Sequence, residues 1–412
     1  KSGAKVAAIC SPSISGEFAD ITDYRRFVQM IKALGFNYVC EVTFGVDLVA
    51  QEYKKLFEDF KGKYFITSIC PVVVSMVEKY HPDLVQNLAP IISPIIATAQ
   101  AVHKEYGSDV KVVLIGPCIQ SKEEAKLFKG ESLIDENLTF VELRELFDEF
   151  NIKESNFEYA EFDEPIGYKG SLFPIGSGIL QAVDINQNLL TGNIISSNGP
   201  DNTLEALEQF ESSIELINRH FNLFYCEGCL MGPGTSKEGK KFIRRTMVVN
   251  YANKRLKTFD REKWEKNLAK NKGNDYSRTF SIDDQRLPPP SEQKVEEVLK
   301  AIDKELMGKD SGCEACGYPS CREFAAAVAS GLAHTDMCLN FSLKNRQEYI
   351  KTLRATNEKL AKTQEALRES EKKARVEQDT AREASETITT MLKKLPSAVV
   401  IIDKKMKILQ SN

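Results

Sequence analysis

Phe224-Tyr-Cys-Glu-Gly-Cys-Leu-Met-Gly-Pro-Gly-Thr235 is the stretch whose reading decides the rest of the chain. Two thiols, Cys226 and Cys229, stand three residues apart in a glycine-rich loop that follows a hydrophobic run. That spacing lets one loop present both sulfurs to one metal centre, and the glycines let the backbone bend tightly around it. By itself a Cys-x-x-Cys pair serves equally as a zinc half-site, a redox pair or an iron–sulfur half-site. Its partners decide, and two lie upstream. One is Cys70, in Thr67-Ser-Ile-Cys-Pro71; the other is Cys118, in Gly116-Pro-Cys-Ile119. Each follows an apolar, strand-like run, where a parallel α/β sheet places its functional loops.

At 412 residues the chain exceeds one ordinary core and implies two or three domains. Hydrophobic content of 42% and charged content of 28% are those of an ordinary globular protein. A net charge of −4 gives no electrostatic ground for nucleic-acid binding. No apolar run reaches the roughly 18 residues of a membrane span, and no secretory signal is visible. The expected location is therefore cytoplasmic, with no membrane partner. Lys1 is not an initiator Met, which reads as sequence missing upstream. Ten cysteines in such a chain point to metal or redox chemistry rather than a disulfide scaffold.

From Lys1 to about Leu287, strands and helices alternate. Lys5–Ile9, Phe36–Val42, Tyr64–Ser68 and Val110–Ile115 read as strands. Ile21–Leu34, Val46–Phe60 and Thr203–Phe221 read as helices from their apolar spacing, the first closed by Gly35. Alternation of this kind implies right-handed crossovers and a mostly parallel sheet. No Gly-x-Gly-x-x-Gly or P-loop sequence follows any strand, so nucleotide binding has no support.

Arg286-Leu-Pro-Pro-Pro290 marks a boundary. Ser291 then reads as a helix N-cap, with Lys294 where a capping box would place Glu or Gln. Val295, Val298, Leu299, Ile302 and Leu306 form one face of the helix that follows. Cys313, Cys316, Cys321 and Cys338 come next, in the pattern Cx2Cx4Cx16C, with an Ala-rich helix ending near Gly331 between the last two. Zinc accepts four thiolates. The uneven spacing and the Gly-Tyr-Pro insert point rather to a [4Fe–4S] site.

Beyond Leu339 the chain changes character. Leu353, Leu360, Leu367, Ala374, Ala381, Ile388 and Leu395 recur every seven residues as the d seam of a coiled coil. The companion a positions, Ile350, Asn357, Gln364, Glu371, Gln378, Ser385 and Leu392, are mostly polar, so the seam is weak in its middle. The expectation is a parallel dimer rather than a solvated single helix. Ser397-Ala-Val-Val-Ile-Ile-Asp403 and Met406-Lys-Ile-Leu409 then read as a strand, a turn and a second strand.

The first region resembles the catalytic domain of [FeFe] hydrogenases over most of residues 5–250. The likeness runs in order through Ser15-Gly-Glu-Phe18, Leu34-Gly-Phe36 and Glu41-Val-Thr-Phe-Gly-Val-Asp-Leu48. It continues in Thr67-Ser-Ile-Cys-Pro71, Val77-Glu-Lys-Tyr-His-Pro82, Ser93-Pro94, Val112 to Glu123 and Cys226-Glu-Gly-Cys229. The implied fold is a hydrogenase-like α/β domain of mostly parallel sheets flanked by helices. A small helical iron–sulfur domain and a long coiled-coil helix would follow it. The domain reading is 1–287 for the hydrogenase-like domain, 288–338 for the four-Cys domain, 339–395 for the signalling helix and 396–412 for the start of a PAS-like domain.

The resemblance implies that Cys70, Cys118, Cys226 and Cys229 hold a [4Fe–4S] cubane. Cys229 would bridge it to a diiron unit carrying CO, cyanide and a dithiolate, the two together forming an H-cluster. Thiolates suit such a cofactor on softness alone. The cofactor carries the hydrogen chemistry, and the protein supplies orientation, hydrogen bonds and proton access. Five positions around the diiron unit depart from the family pattern. Ile69 stands where catalytic members carry a proton-relaying Cys. Gly116 replaces a Met, Ser121 replaces a cyanide-binding Lys (Lys122 is one residue off), and Ile95-Ile96 replaces a Gln pair. The third motif is also shorter than usual. General acid catalysis contributes on the order of 10²–10⁴-fold, so slow turnover is expected. Cys10, Glu17 and Glu227 are the candidate substitutes for the lost relay. Cys40 reads as structural, Tyr225 as part of the site wall, and His81, His103, His220 and His334 as packing or surface residues.

The domain order resembles the sensory branch of that family. The expected function is an H2 sensor of low activity that passes its redox state through a second [4Fe–4S] cluster and the coiled coil to an output module. The implied partners are H2 and protons, a redox carrier such as ferredoxin, maturation proteins, a downstream signalling partner and a second copy of the chain. The rival readings are an iron–sulfur scaffold without the diiron unit, an electron-transfer module, and a zinc-bound structural protein.

Overall fold

The computed structural model describes residues 3–127, 133–304 and 312–412, and the chain divides into two compact units at residues 286 and 287.

In the first unit, four parallel strands form one sheet. They are β1 (Val6–Cys10), β2 (Tyr38–Glu41), β3 (Lys111–Gly116) and β4 (Glu136–Thr139), in the order β2-β1-β3-β4. The sheet is covered on both faces, which is why β1 reads as a continuous apolar run rather than an alternating one. Ala7 and Ile9 enter one core cluster, with Val112, Leu114 and helix residues such as Val49 and Val73. Ala8 and Cys10 enter the other, with Ile115, Phe27 and Phe140. This is the period-two alternation of a strand, spent on two cores. A second parallel pair follows, β5 (Ile194–Asn198) and β6 (His220–Phe224).

Local sequence sets the helix starts. Asp23 caps Tyr24–Ala33 by accepting from the Arg25 N–H at 2.9 Å, and Thr139 with Glu142 forms a full capping box at Phe140–Glu149. Proline opens the helices Pro71–Tyr80 and Pro94–Tyr106, where its missing N–H costs nothing.

Two expected elements differ. Tyr64–Ser68 makes no full strand; it pairs only at Ile66, bridging Leu88 on one side and Phe221 on the other. The helix expected over Thr203–Phe221 runs instead over Pro200–Ile217. Asn218, at φ 50°, turns the chain in the left-handed region, and β6 begins two residues later.

In the second unit, Ser291 precedes the helix Glu292–Ala301, and its hydroxyl makes no capping bond. Val295 and Ile302 are buried; Leu306 lies outside the described residues. The helix Cys321–Ala329 follows, then a helix of 56 residues, Leu339–Lys394, whose one buried residue is Leu392. The chain ends in an antiparallel hairpin of β7 (Val400–Ile402) and β8 (Ile408–Ser411). Among the described residues no helix is long and apolar enough to cross a membrane.

Candidate metal centre

The loops that leave β1, β2, β3 and β6 at their carboxyl ends converge on one cavity of about 280 Å³. Ser11 and Val42 reach it from β1 and β2. Gly116, Pro117, Cys118 and Ser121 reach it from β3, and Tyr225, Cys226, Gly228 and Cys229 from β6. Cys70 enters from the bridge region around Ile66. The carboxyl ends of parallel strands are where such sheets leave crevices, and the sequence places all four thiols there.

Backbone N–H groups serve two of the sulfurs, Cys70 and Cys118. Cys70 is the N-cap of Pro71–Tyr80. The N–H groups of Val72, Val73 and Tyr225 point at its sulfur, as helix N-termini do toward anions. The N–H groups of Gln120 and Ser121 serve Cys118 in the same way. The Cys229 N–H donates to the Pro174 carbonyl at 2.9 Å, and the Gly234 N–H to the Pro117 carbonyl at 3.0 Å. The second bond joins the loop of Cys229 to the residue before Cys118.

Burial, and then the neighbouring thiols, push Cys118 up to about 12 and Cys226 up to about 11. Burial followed by repulsion from Cys70, Cys118 and Cys226 raises Cys229 as well. Four thiolates in this cavity need compensating positive charge, which a metal cluster supplies. Among the described residues no three His, Cys, Asp or Glu side chains form a set that could hold a single ion. The sulfurs instead surround a void larger than an ion. A soft, polynuclear iron–sulfur group fits this donor set and this space.

The rest of the wall is mostly apolar, with Ser11, Gln120 and Tyr225 as its polar side chains besides Ser121. Ile69 is 3% exposed and lines the cavity with Ile95, Pro94, Phe173 and Phe224. Ser121 lines it too. Its hydroxyl donates to the Cys118 carbonyl at 2.6 Å and accepts from the Asn137 amide at 2.7 Å, so it is spoken for by the protein. Lys122 does not reach the cavity; its ammonium pairs with Glu142 at 2.6 Å.

None of the three candidate proton carriers lines the cavity. Cys10 is fully buried in β1 behind Ser11, its thiol raised by burial and then by Glu41. Glu227 faces outward and pairs with Lys241 at 2.8 Å. Glu17 is buried and accepts from Arg244 at 2.6 Å, from Arg144 at 3.2 Å and from the Ser236 N–H. Sequence reasoning missed this ion pair, since Glu17 and Arg244 lie far apart along the chain and no motif contains Arg244. Cys40 donates to the Glu164 carbonyl at 3.2 Å, in keeping with a structural role.

The second unit carries its own thiol set. Cys313, Cys316, Cys321 and Cys338 line one small void of about 10 Å³, with Lys304, Tyr318 and Phe324 around it. That is about the room of one water. Cys321 opens the helix Cys321–Ala329, and Cys338 caps Leu339–Lys394. Cys313 is exposed. The donor chemistry suits an iron–sulfur cluster, while the void is closed around less than a cluster's volume.

A parallel α/β domain that surrounds one apolar cavity with four thiols is of the class that houses iron–sulfur cofactors. Residues 4–233 match the family described as "Iron only hydrogenase large subunit, C-terminal domain". That is more than half of the chain, which belongs to this family. Residues 311–339 match the family described as "Putative Fe-S cluster". Iron hydrogenase 1 of Clostridium pasteurianum is 28% identical over 175 residues, 38% of this chain and 30% of that protein. The NADP-reducing hydrogenase subunit HndD of Solidesulfovibrio fructosivorans is 27% identical over 182 residues, 38% and 31% of the two chains. The chain thus spans under a third of these curated relatives. A variant of the [FeFe]-hydrogenase HydA1 from Chlamydomonas reinhardtii superposes with a TM-score of 0.54 at 17% identity, over 68% of this chain and 95% of that one. The HydA(deltaEFG) structure, solved in a study of stepwise H-cluster assembly, gives 0.53 at 18% identity, over 68% and 94%. At such identities these superpositions establish the fold.

Proposed function

We propose that the chain is an H2-responsive member of its family, with a low rate of turnover. The observation that carries this reading is the cavity itself: four thiols that the sequence scatters over a long stretch of chain line one void. When bound there, the cofactor supplies the interconversion of H2 with protons and electrons. Cys70, Cys118, Cys226 and Cys229 would hold it, with Cys229 shared between the cubane and the diiron unit. The protein's part is to orient and to exclude. Val72, Val73 and Tyr225 aim N–H groups at Cys70. Ile69 and Ile95 keep water from the wall, but neither can give or take a proton. The Ser121 hydroxyl is held by Cys118 and Asn137. A wall dominated by apolar side chains supports binding with slow proton exchange over fast catalysis.

The domain reading remains 1–287, 288–338, 339–395 and 396–412. In it Cys313, Cys316, Cys321 and Cys338 hold a [4Fe–4S] cluster that carries the electron onward. The continuous helix Leu339–Lys394 supports a two-stranded coiled coil, because its leucines at 353, 360 and 367 are all exposed in a single chain. The hairpin β7–β8 would begin a PAS-like output domain. Ferredoxin or a similar carrier, maturation proteins and a signalling partner complete the cytoplasmic setting.

A second reading draws on the same apolar wall: an iron–sulfur scaffold or electron-transfer protein without the diiron unit. Electron paramagnetic resonance of the anaerobically loaded chain, under N2 and then H2, separates the two. Reduction of the second cluster by H2 alone supports the sensor. Two clusters that respond to dithionite and ignore H2 support the scaffold.

A further inference from the structure

Arg244 sits in the first turn of the helix Lys241–Lys257 and is 3% exposed. A cation is unwelcome there twice over. The helix N-terminus is itself positive, and burying a guanidinium costs its hydration. The surroundings show what holds it in place. One terminal nitrogen donates to the Leu230 carbonyl at 2.7 Å and the Thr235 hydroxyl at 2.9 Å. The other donates to the Ser236 carbonyl at 2.9 Å and hydroxyl at 2.8 Å, and to the Glu17 carboxylate at 2.6 Å. Glu17 in turn accepts the Ser236 N–H at 3.1 Å and Arg144 at 3.2 Å. The segment 230–236 is therefore wrapped around one guanidinium and closed by one carboxylate.

That segment begins at the residue after Cys229. Its middle is pressed on the loop of Cys118. The Gly234 N–H donates to the Pro117 carbonyl at 3.0 Å, and a Cβ at Gly232 would come within 2.6 Å of the same oxygen. Neither Arg244 nor Glu17 lines the cavity. Both act through backbone, one at the residue next to a thiol and the other through Ser236. Room around the guanidinium is also reserved. A Cβ at Gly239 would fall 2.0 Å from its central carbon, and one at Gly16 3.1 Å from the Arg244 Cβ.

We infer that Arg244 and Glu17 form a positioning pair that fixes Cys229 against Cys118 and so sets the binding and redox behaviour of the group held between them. One guanidinium nitrogen holds Glu17 while the other holds Leu230 and Thr235, a division between two planar nitrogens that a lysine cannot reproduce. This inference rests on the reading that the four thiols of the first unit hold an iron–sulfur group. Groups that orient metal ligands in this way typically change affinity by about 10–100-fold when altered.

The test uses the full chain, loaded anaerobically with iron and sulfide, in four forms: wild type, Arg244→Lys, Glu17→Gln and Cys229→Ser. Iron loss to a chelator and the paramagnetic resonance signal of each reduced cluster are followed, with Cys229→Ser identifying the first-unit signal. The four-thiol set of the second unit serves as an internal reference. Arg244→Lys and Glu17→Gln are expected to speed iron loss from the first unit about tenfold or more and to shift its signal. The second-unit signal and the circular dichroism should stay as in wild type. Wild-type rates and signals in both variants would overturn the pair's role, and so would an equal change at both clusters, which would mark general loosening. If Arg244→Lys fails to fold, Glu17→Gln alone decides by the same criteria. A wild-type chain that fills only the second unit overturns the site reading itself, and the inference with it.

Discussion

The Cys229 N–H donates to the Pro174 carbonyl at 2.9 Å, and that same oxygen lies 2.2 Å from where a Cβ at Gly228 would stand. The thiol loop is thus seated directly on the segment around Pro174, with no room for a side chain between them. Gly228 also holds φ at 63°, which other residues adopt at a cost. Gly228→Ala is expected to lose about 1–3 kcal/mol of stability and to bind less iron at the first site. Urea melts of the metal-free chain, read beside iron content, check both parts.

Glu41 is buried at the end of β2 and accepts the Tyr251 hydroxyl. Its other oxygen has no hydrogen-bond partner, with Arg255 at 3.9 Å. Tyr251→Phe would strip a buried carboxylate of its donor, and is expected to cost about 1–3 kcal/mol. Adding Glu41→Leu to that variant should recover part of the loss, because no buried carboxylate is then left without its donor and Arg255 keeps Glu161. Chemical denaturation of the single and double variants measures the difference.

His220 starts β6, is fully buried among Phe57, Phe65 and Tyr64, and accepts the Phe65 N–H on Nδ1 at 3.0 Å. Burial pulls it from 6.5 down to about 4. The folded state thus favours the neutral ring. Its contribution is fully present above the unfolded value near 6.5 and is lost as pH falls through that value toward 4. Over this window the unfolded chain binds the extra proton, at a limiting slope of about 1.4 kcal/mol per pH unit. Asp47 runs the other way. Burial pushes it up to about 7 against three N–H donors, from Tyr168, Gly170 and Trp264. Its contribution is present below about 4 and is lost as pH rises through 7. His220→Asn should flatten the acid-side loss, and Asp47→Asn should flatten the loss on going from pH 4 to 7. Stability curves for the two variants against wild type should therefore diverge in opposite directions.

Leu360 and Leu367 are 66% and 61% exposed on the long helix. In a two-stranded coiled coil both would be covered by a second copy. Leu360→Glu with Leu367→Glu is expected to convert a dimer to a monomer, as sedimentation equilibrium would show. A wild-type chain that sediments as a monomer at micromolar concentration would remove the dimer.

Ile69 stands on the cavity wall directly before Cys70. If proton supply limits turnover, Ile69→Cys should raise the H2-dependent rate of dye reduction by about 10²–10⁴-fold. An unchanged rate in a variant that loads normally would place the limit elsewhere.

Much of the first sheet was legible in the sequence because β1 and β3 are buried on both faces and read as apolar runs. β5 was not, since Ile194-Ile-Ser-Ser-Asn198 is short, half-exposed and mostly polar. The overrun of the helix at Thr203–Phe221 had a visible signal: Asn218 is a residue that stops helices in the left-handed region. The thiol positions were readable because glycine, proline and cysteine mark them locally. The Glu17–Arg244 pair was not, since no local pattern announces that an arginine in a basic helix turns inward to hold a loop. That an apolar Ile69 stands directly before Cys70 was plain in the sequence, but not that Cys10, Glu17 and Glu227 all fall off the cavity wall.

The most direct test of the proposed centre is infrared spectroscopy of the chain loaded anaerobically with iron, sulfide and a synthetic diiron complex, recorded under N2 and then under H2. Sharp bands of metal-bound CO and cyanide that shift under H2, and that vanish in Cys229→Ser, are expected. A chain with its full iron–sulfur complement and no such bands would contradict the H2-responsive reading and leave the iron–sulfur scaffold in its place.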